Sequence, residues 1–180
     1  MNVLNLGSGY DTTLYWLAEN HPQLCEKMTW VEIDFDQVVE RKIQIIKKTE
    51  SINSIIRNNK YPDRDYMLDS DNYKIFSHDI RQTESLGLQL KDFGVSPEHP
   101  TIVLTECLLI YLKNEDSEKI LRWIGEFFAP SPYVSILNYE MIHPNDPFGQ
   151  TMLNNLRDRG CDLLGIEGCP DVNSQINRMN

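Results

Sequence analysis

The sequence has no CxxC pair, no block of basic residues, no long apolar run and no third glycine behind its first glycine pair. Each absence narrows what the chain can be. Its four cysteines, Cys25, Cys107, Cys161 and Cys169, stand apart, so a metal site is not expected. Basic residues number 17 against 27 acidic ones, a formal net charge of −10. An acidic chain without a basic block is poorly matched to polyanions, which argues against a nucleic-acid or membrane-surface partner. No stretch approaches the roughly 18 apolar residues that a transmembrane helix needs. The first residues lack the basic-then-apolar pattern of a signal peptide. Reduced thiols and a cytoplasmic location are therefore expected. The histidines, His21, His78, His99 and His143, are scattered among prolines and turns, and no histidine or cysteine stands out as a nucleophile.

What is present is an alternation of apolar runs with helical patterns across all 180 residues, 41% of them hydrophobic. One domain over residues 1–180 with a sizeable core is expected. "NVLNLG", "MTWVEIDF", "YKIFSHDI", "PTIVLTECLLIYL" and "YVSILNYEM" read as five strands. The fourth is the most apolar and is expected to run on into Tyr111. Between them, Asp11 is expected to cap a helix carrying Leu14, Leu17 and Ala18, and Asp36 one carrying Val38, Val39, Ile43 and Ile46. Arg41, Lys42, Lys47 and Lys48 fall among the polar positions of that second helix. A short helix near Thr83–Phe93 follows the third strand. "NEDSEKILRWIGEFF" reads as an amphipathic helix with Ile120, Leu121, Ile124, Phe127 and Phe128 inward. "RNNKYPDRDYMLDSDN" and "HPNDPFG" read as loops, "QTMLNNLRDR" as a last helix, and "PDVNSQINRMN" as a frayed tail. Strands separated by helices predict an α/β, doubly wound, parallel sheet.

In such a sheet, ligands bind at the carboxyl ends of the strands. The loop holding Gly7 and Gly9 follows the first strand and opens a helix, so the backbone there can approach a ligand without Cβ clashes. Acidic residues stand at the other strand ends: Asp34, sharing parity with Glu32, then Asp79, Glu106 and Glu140. Asp34 is placed to accept hydrogen bonds from ribose hydroxyls, and Asp79 lies where an adenine amino group would be. Four carboxylates around one crevice would repel the phosphates of a dinucleotide. Thr12 also stands where GxGxxG needs its third glycine. A cationic, phosphate-free nucleotide suits the site, and S-adenosyl-L-methionine is one. The competing readings are structural: a plain turn at Gly7 and Gly9, a helix cap at Asp34, a turn cap at Asp79, an ordinary strand-end charge at Glu140 and packing at Tyr111. Glu106, beside an apolar strand, is the hardest to explain structurally, because an unpaired buried carboxylate is costly.

The stretches "VLNLGSGYDTT", "VEIDFDQVVERK", "YKIFSHDIRQ", "TIVLTECLLIYL" and "DPFGQTMLNNLRDRGCDLLGIE" together resemble the leucine carboxyl methyltransferase family. The resemblance runs from the first strand to about Cys169. It implies a Rossmann-like, class I fold dependent on S-adenosyl-L-methionine. It also implies methyl esterification of the C-terminal leucine carboxylate of the protein phosphatase 2A catalytic subunit. Carried over position by position, it implies cofactor contacts at Gly7, Asp34, Asp79, Ile80 and Glu106, with Tyr111 close to the substrate carboxylate. Members of the family carry a helical region before the glycine strand and further strands after the last one here, and an arginine where Pro147 stands. The expectation from these differences is a partial form of the family protein, with an incomplete sheet and little or no methylating activity by itself. A monomer is expected. Two other readings stay open: a carboxyl methyltransferase of the wybutosine type, and a non-catalytic module that only binds cofactor.

Overall fold

Strand β1 (Asn2–Leu6) is buried along its whole length, as expected of a central strand covered on both faces. The computed structural model describes residues 1–58 and 67–179. Around β1 a six-stranded sheet assembles in the order β3-β4-β2-β1-β5-β6. The other strands are β2 (Thr29–Asp34), β3 (Met67–Asp69), β4 (Tyr73–Ser77), β5 (Thr101–Glu106) and β6 (Val134–Tyr139). All neighbours run parallel except β3, which is antiparallel to β4 at one edge. From β1 the chain builds outward to one side through β2 and β4, then crosses to the other side for β5 and β6. The order therefore reverses between β1 and β5, and it is there that doubly wound sheets open a crevice at their carboxyl ends.

Helices cover both faces. They are α1 (Thr13–Asn20), α2 (Pro22–Cys25), α3 (Asp36–Lys48), α4 (Glu50–Asn53), α5 (Thr83–Asp92), α6 (Asn114–Phe127), α7 (Pro147–Asp158) and α8 (Val172–Met179), with a 3-10 turn at Leu109–Tyr111. Strand alternation divides the core in two. Leu4, Leu6, Val31, Ile33 and Phe76 pack on Leu86 and Leu90 of α5 and Ile120 and Ile124 of α6. Val3, Trp30, Tyr73 and Ile75 pack on Leu14 of α1 and Val39, Ile43 and Ile46 of α3. Each fully buried aliphatic or aromatic side chain contributes about 1.5–3 kcal/mol relative to exposure. The α/β, doubly wound class expected from the alternation is therefore the fold observed.

Several local expectations are corrected. Met67–Asp69, expected as loop, is a short edge strand, because Leu68 is buried in the α3-side core. Residues 59–66 of that expected loop lie outside the described residues. The fourth apolar run ends as a strand at Glu106 rather than reaching Tyr111. Cys107 adopts φ 47°, a left-handed conformation that cannot extend a strand, and the chain turns into the 3-10 segment. The tail is helical over Val172–Met179. Asp171 accepts from the Ser174 amide at 2.8 Å, and Gln175 reaches Asn138 of β6 at 3.3 Å. Helix α7 starts at Pro147, with Asp146 accepting from Gly149 N–H at 2.6 Å. Neither Asp11 nor Asp36 is a helix N-cap: those positions are Thr12 and Phe35. Phe127 is half-buried, while Ile120, Leu121, Ile124 and Phe128 face inward as expected.

Candidate functional site

The loop after β1 is shaped by its two glycines. Gly7 has φ 65° and Gly9 φ 50°, both in the region that L side chains rarely enter. A Cβ on Gly7 would also lie 2.6 Å from Leu108 Cδ1. The loop is fastened to β2, since Gly7 N–H donates to the Ile33 carbonyl at 2.8 Å and Gly9 N–H to Asp34 Oδ2 at 2.7 Å. Gly7→Ala is accordingly expected to cost about 1–2 kcal/mol of stability from the left-handed backbone alone. A urea titration beside Gly125→Ala, a helical position with open space around it, checks this.

At the switch point the loop faces the end of β5. Asn5, Gly7, Ser8, Tyr10, Asp11, Thr12, Glu106 and Cys107 line a crevice of about 360 Å³. Gly7 and Glu106 are thus brought together. Asp34 joins them through its bond to Gly9, and its Oδ1 accepts from Phe35 N–H at 2.7 Å. Each carboxylate oxygen keeps a further lone pair free to accept. The tip of β4 follows in sequence: His78 N–H donates to the Asp34 carbonyl at 3.0 Å, placing Asp79 and Ile80 one strand farther along. Ile80 is buried. The Asp79 carboxylate takes a forked hydrogen bond from Arg81, 2.9 Å from Nε and 2.6 Å from Nη2. Those hydrogen bonds hold its acid below the ordinary carboxylate range.

Two expectations about carboxylates are overturned. Glu106 is exposed, because it sits at the strand tip where β5 leaves the sheet, so no buried-charge argument applies to it. Glu140 does not line the crevice. It turns toward the 3-10 segment, where one oxygen accepts from Leu109 N–H at 2.8 Å and, more weakly, Leu108 N–H at 3.3 Å. Burial pushes its acid up. The carboxylates that line the crevice are Asp11 and Glu106, Asp34 sits behind it on the Gly9 amide, Asp79 lies outside the lining, and Glu140 fixes the turn that carries Tyr111. The Tyr111 ring is partly exposed beyond Cys107 and outside the crevice lining. Burial, followed by the charges of Cys107, Cys161 and Glu140, pushes its phenol up, so it remains an O–H donor at neutral pH. Burial, then Glu140 and Glu106, likewise raises the Cys107 thiol, which suits a packed thiol rather than a nucleophile.

Beneath the loop lies a network not anticipated from the sequence. Glu32 and Lys42, both under 5% exposed, form an ion pair. Tyr73 Oη donates to Glu32 Oε2 at 2.8 Å and Trp30 Nε1 to Oε1 at 3.1 Å. Lys42 Nζ also donates to the Asp11 carbonyl at 3.0 Å. The signals were present: Lys42 falls within the 39-42-43-46 stripe of α3, and Glu32 lies inside a strand buried on both faces. Among the described residues no group of three or more His, Cys, Asp or Glu could hold a metal ion. No described helix is long and apolar enough to cross a membrane.

The model of the family described as leucine carboxyl methyltransferase matches residues 1–125. The chain belongs to the leucine carboxyl methyltransferase family. Leucine carboxyl methyltransferase 1 of Bos taurus is 36% identical over 181 residues, covering 98% of this chain and 53% of that protein. The tRNA wybutosine-synthesizing protein 4 of Homo sapiens is 31% identical over 178 residues, covering 98% of this chain and 25% of that protein. The chain spans about half the length of leucine carboxyl methyltransferase 1. Among solved structures, a Thermobifida fusca protein provisionally described as a methyltransferase matches with a TM-score of 0.61 at 17% identity, over 87% of this chain and 51% of that one. At that identity the likeness concerns the fold, which is the Rossmann-like class I methyltransferase fold. This family member thus carries its crevice at the position where the fold opens one.

Proposed function

We propose that this leucine carboxyl methyltransferase family member binds S-adenosyl-L-methionine at the switch-point crevice. We further propose that it serves methyl esterification of a protein C-terminal leucine carboxylate, that of the protein phosphatase 2A catalytic subunit. The observation that carries the reading is the donor set. Gly7, Asp11 and Glu106 line one crevice, Asp34 holds the Gly9 amide of the loop beside it, and no lysine or arginine is among the lining residues. That chemistry suits a cationic nucleoside and opposes a phosphate-bearing one. Asp34 would hold the ribose hydroxyls, Asp79 and Ile80 the adenine, and Gly7 and Glu106 the remainder of the cofactor. Arg81 is half exposed on its own pair with Asp79, so it can give way to an incoming base. When bound, the cofactor supplies a methyl group on a sulfonium, open to in-line displacement.

The protein's own task is then modest in chemistry and strict in geometry. A C-terminal carboxylate has a pKa of about 3.5 and is ionised at neutral pH, so no general base is required. Tyr111, kept protonated, would donate to that carboxylate and orient it. Proximity and exclusion of water supply the rest. The similarity to a human protein named for tRNA wybutosine synthesis keeps a carboxyl methyltransferase of the wybutosine type as a second reading, but a net charge of −10 opposes an RNA partner.

Two measurements test the proposal. Calorimetry is expected to show binding of S-adenosyl-L-methionine or S-adenosylhomocysteine and weaker or no binding of NAD; tighter NAD binding refutes the site reading. Labelled methyl transfer is then measured to a peptide ending in free leucine and to its C-terminal amide, with full-length leucine carboxyl methyltransferase 1 as the positive control. Label on the free acid alone supports the substrate class. Cofactor binding without label on either peptide favours a binding module.

A further inference from the structure

We infer that Lys42 is a positioning residue for the glycine loop: the buried Glu32–Lys42 pair holds that loop, through the Asp11 carbonyl, in the shape the cofactor meets. The inference rests on the cofactor site proposed above and extends it to residues that touch no ligand.

The argument begins with cost. Two charges at this depth lose most of their hydration, and a well-packed apolar pair is often as stable or more so. Stability alone does not account for the pair. Its geometry does account for it. Glu32 sits in the middle of β2 and is immobilised on both oxygens, by Trp30 Nε1 at 3.1 Å and by Tyr73 Oη from β4 at 2.8 Å. Lys42 projects from α3 onto that fixed carboxylate. Its ammonium therefore has a set position, and from there it donates to the Asp11 carbonyl at 3.0 Å. An apolar side chain at position 42 could fill the space but could not make that bond.

Asp11 is the loop residue that would profit. Its side chain accepts from Asn5 Nδ2 of β1 at 2.7 Å and from Thr13 N–H at 2.9 Å. Its amide donates to the Ser8 carbonyl at 2.9 Å. Held at carbonyl, carboxylate and amide, Asp11 links β1, the loop and the start of α1 to α3. The Tyr15 ring of α1 lies edge-on to Tyr73, with centroids 6.2 Å apart, so the same network also touches the helix that the loop opens. A left-handed glycine pair has many accessible conformations, and an external tether restricts them before ligand arrives.

The test is the double variant Lys42→Met/Glu32→Gln, which removes both charges together and leaves no unpaired ion. Its urea midpoint is expected to stay near that of the parent chain. Amide hydrogen exchange at Gly9 to Thr12 is expected to speed up about tenfold, while β2 amides keep their protection. Affinity for S-adenosylhomocysteine is expected to fall about tenfold, the worth of one lost charge-assisted hydrogen bond. A merely structural role would not separate loop exchange from β2 exchange. Unchanged loop exchange and unchanged affinity overturn the inference. If the parent chain binds no cofactor, the site proposal fails while loop exchange still judges the tether. Should the double variant unfold, Lys42→Leu/Glu32→Gln, which likewise removes both charges and cannot donate to the Asp11 carbonyl, is read by the same criteria.

Discussion

Replacing Lys42 alone by methionine is expected to lower the unfolding free energy by about 3–5 kcal/mol, the usual cost of stranding one member of a buried ion pair. The stranded group is Glu32, 1% exposed, with only Tyr73 and Trp30 left to donate to it. Burial already pushes its acid up, and Lys42 is the main opposing influence. Without Lys42 the folded-state pKa rises further above the unfolded value of about 4.3. The sign follows from that. A raised folded pKa means the folded state holds the proton more tightly, so this contribution is present below the unfolded pKa and is lost as pH rises through the folded one. The deficit of Lys42→Met against the parent chain should therefore be small near pH 4 and should grow toward pH 8. Urea denaturation at several pH values checks both size and slope. A deficit independent of pH would locate the damage in packing rather than in the uncompensated carboxylate.

Asp34→Ala should weaken S-adenosyl-L-methionine binding by about 1.5–3 kcal/mol, roughly tenfold to a hundredfold, because charged hydrogen bonds to ribose would be lost. The carboxylate has a second duty, since it accepts from Gly9 N–H and Phe35 N–H at 2.7 Å each. Asp34→Asn separates the two. An asparagine oxygen can still accept from one amide, preserving part of the loop geometry, but it lacks the charge and the second acceptor. Calorimetry on both variants is expected to rank the parent chain first, asparagine second and alanine last. Equal affinity in all three would mean that Asp34 serves only the loop and β2.

The two residues differ in how they could be found. Asp34 is visible from order alone: it ends an apolar run that precedes a helix, and the second strand of a doubly wound sheet places its tip beside the first loop. Gly7 and Gly9 are visible for the same reason, as is the five-strand parallel framework. Lys42 is hidden because a lysine on an amphipathic helix reads as part of the solvated face until its spacing is set against Val39, Ile43 and Ile46. Glu106 misleads in the opposite direction. Its apolar neighbours suggest burial, but the left-handed Cys107 ends the strand there and leaves its carboxylate in solvent. Glu140 also ends a strand, yet it serves the turn at Leu108 and Leu109 instead of the crevice.

Periodicity, glycine placement and the order of acidic strand ends determine, by themselves, the α/β class, the switch-point loop and the family motifs. These are local signals, since a period of two or 3.6 and a backbone free of Cβ are properties of a few consecutive residues. The tertiary structure alone decides which carboxylates face the crevice, that Met67–Asp69 pairs at the sheet edge, and that Glu32 and Lys42 meet under the Asp11 carbonyl. Those outcomes depend on side chains from different elements arriving at one place. Their partners are chosen by the cost of burying unpaired polar groups, which acts only once strands and helices have packed.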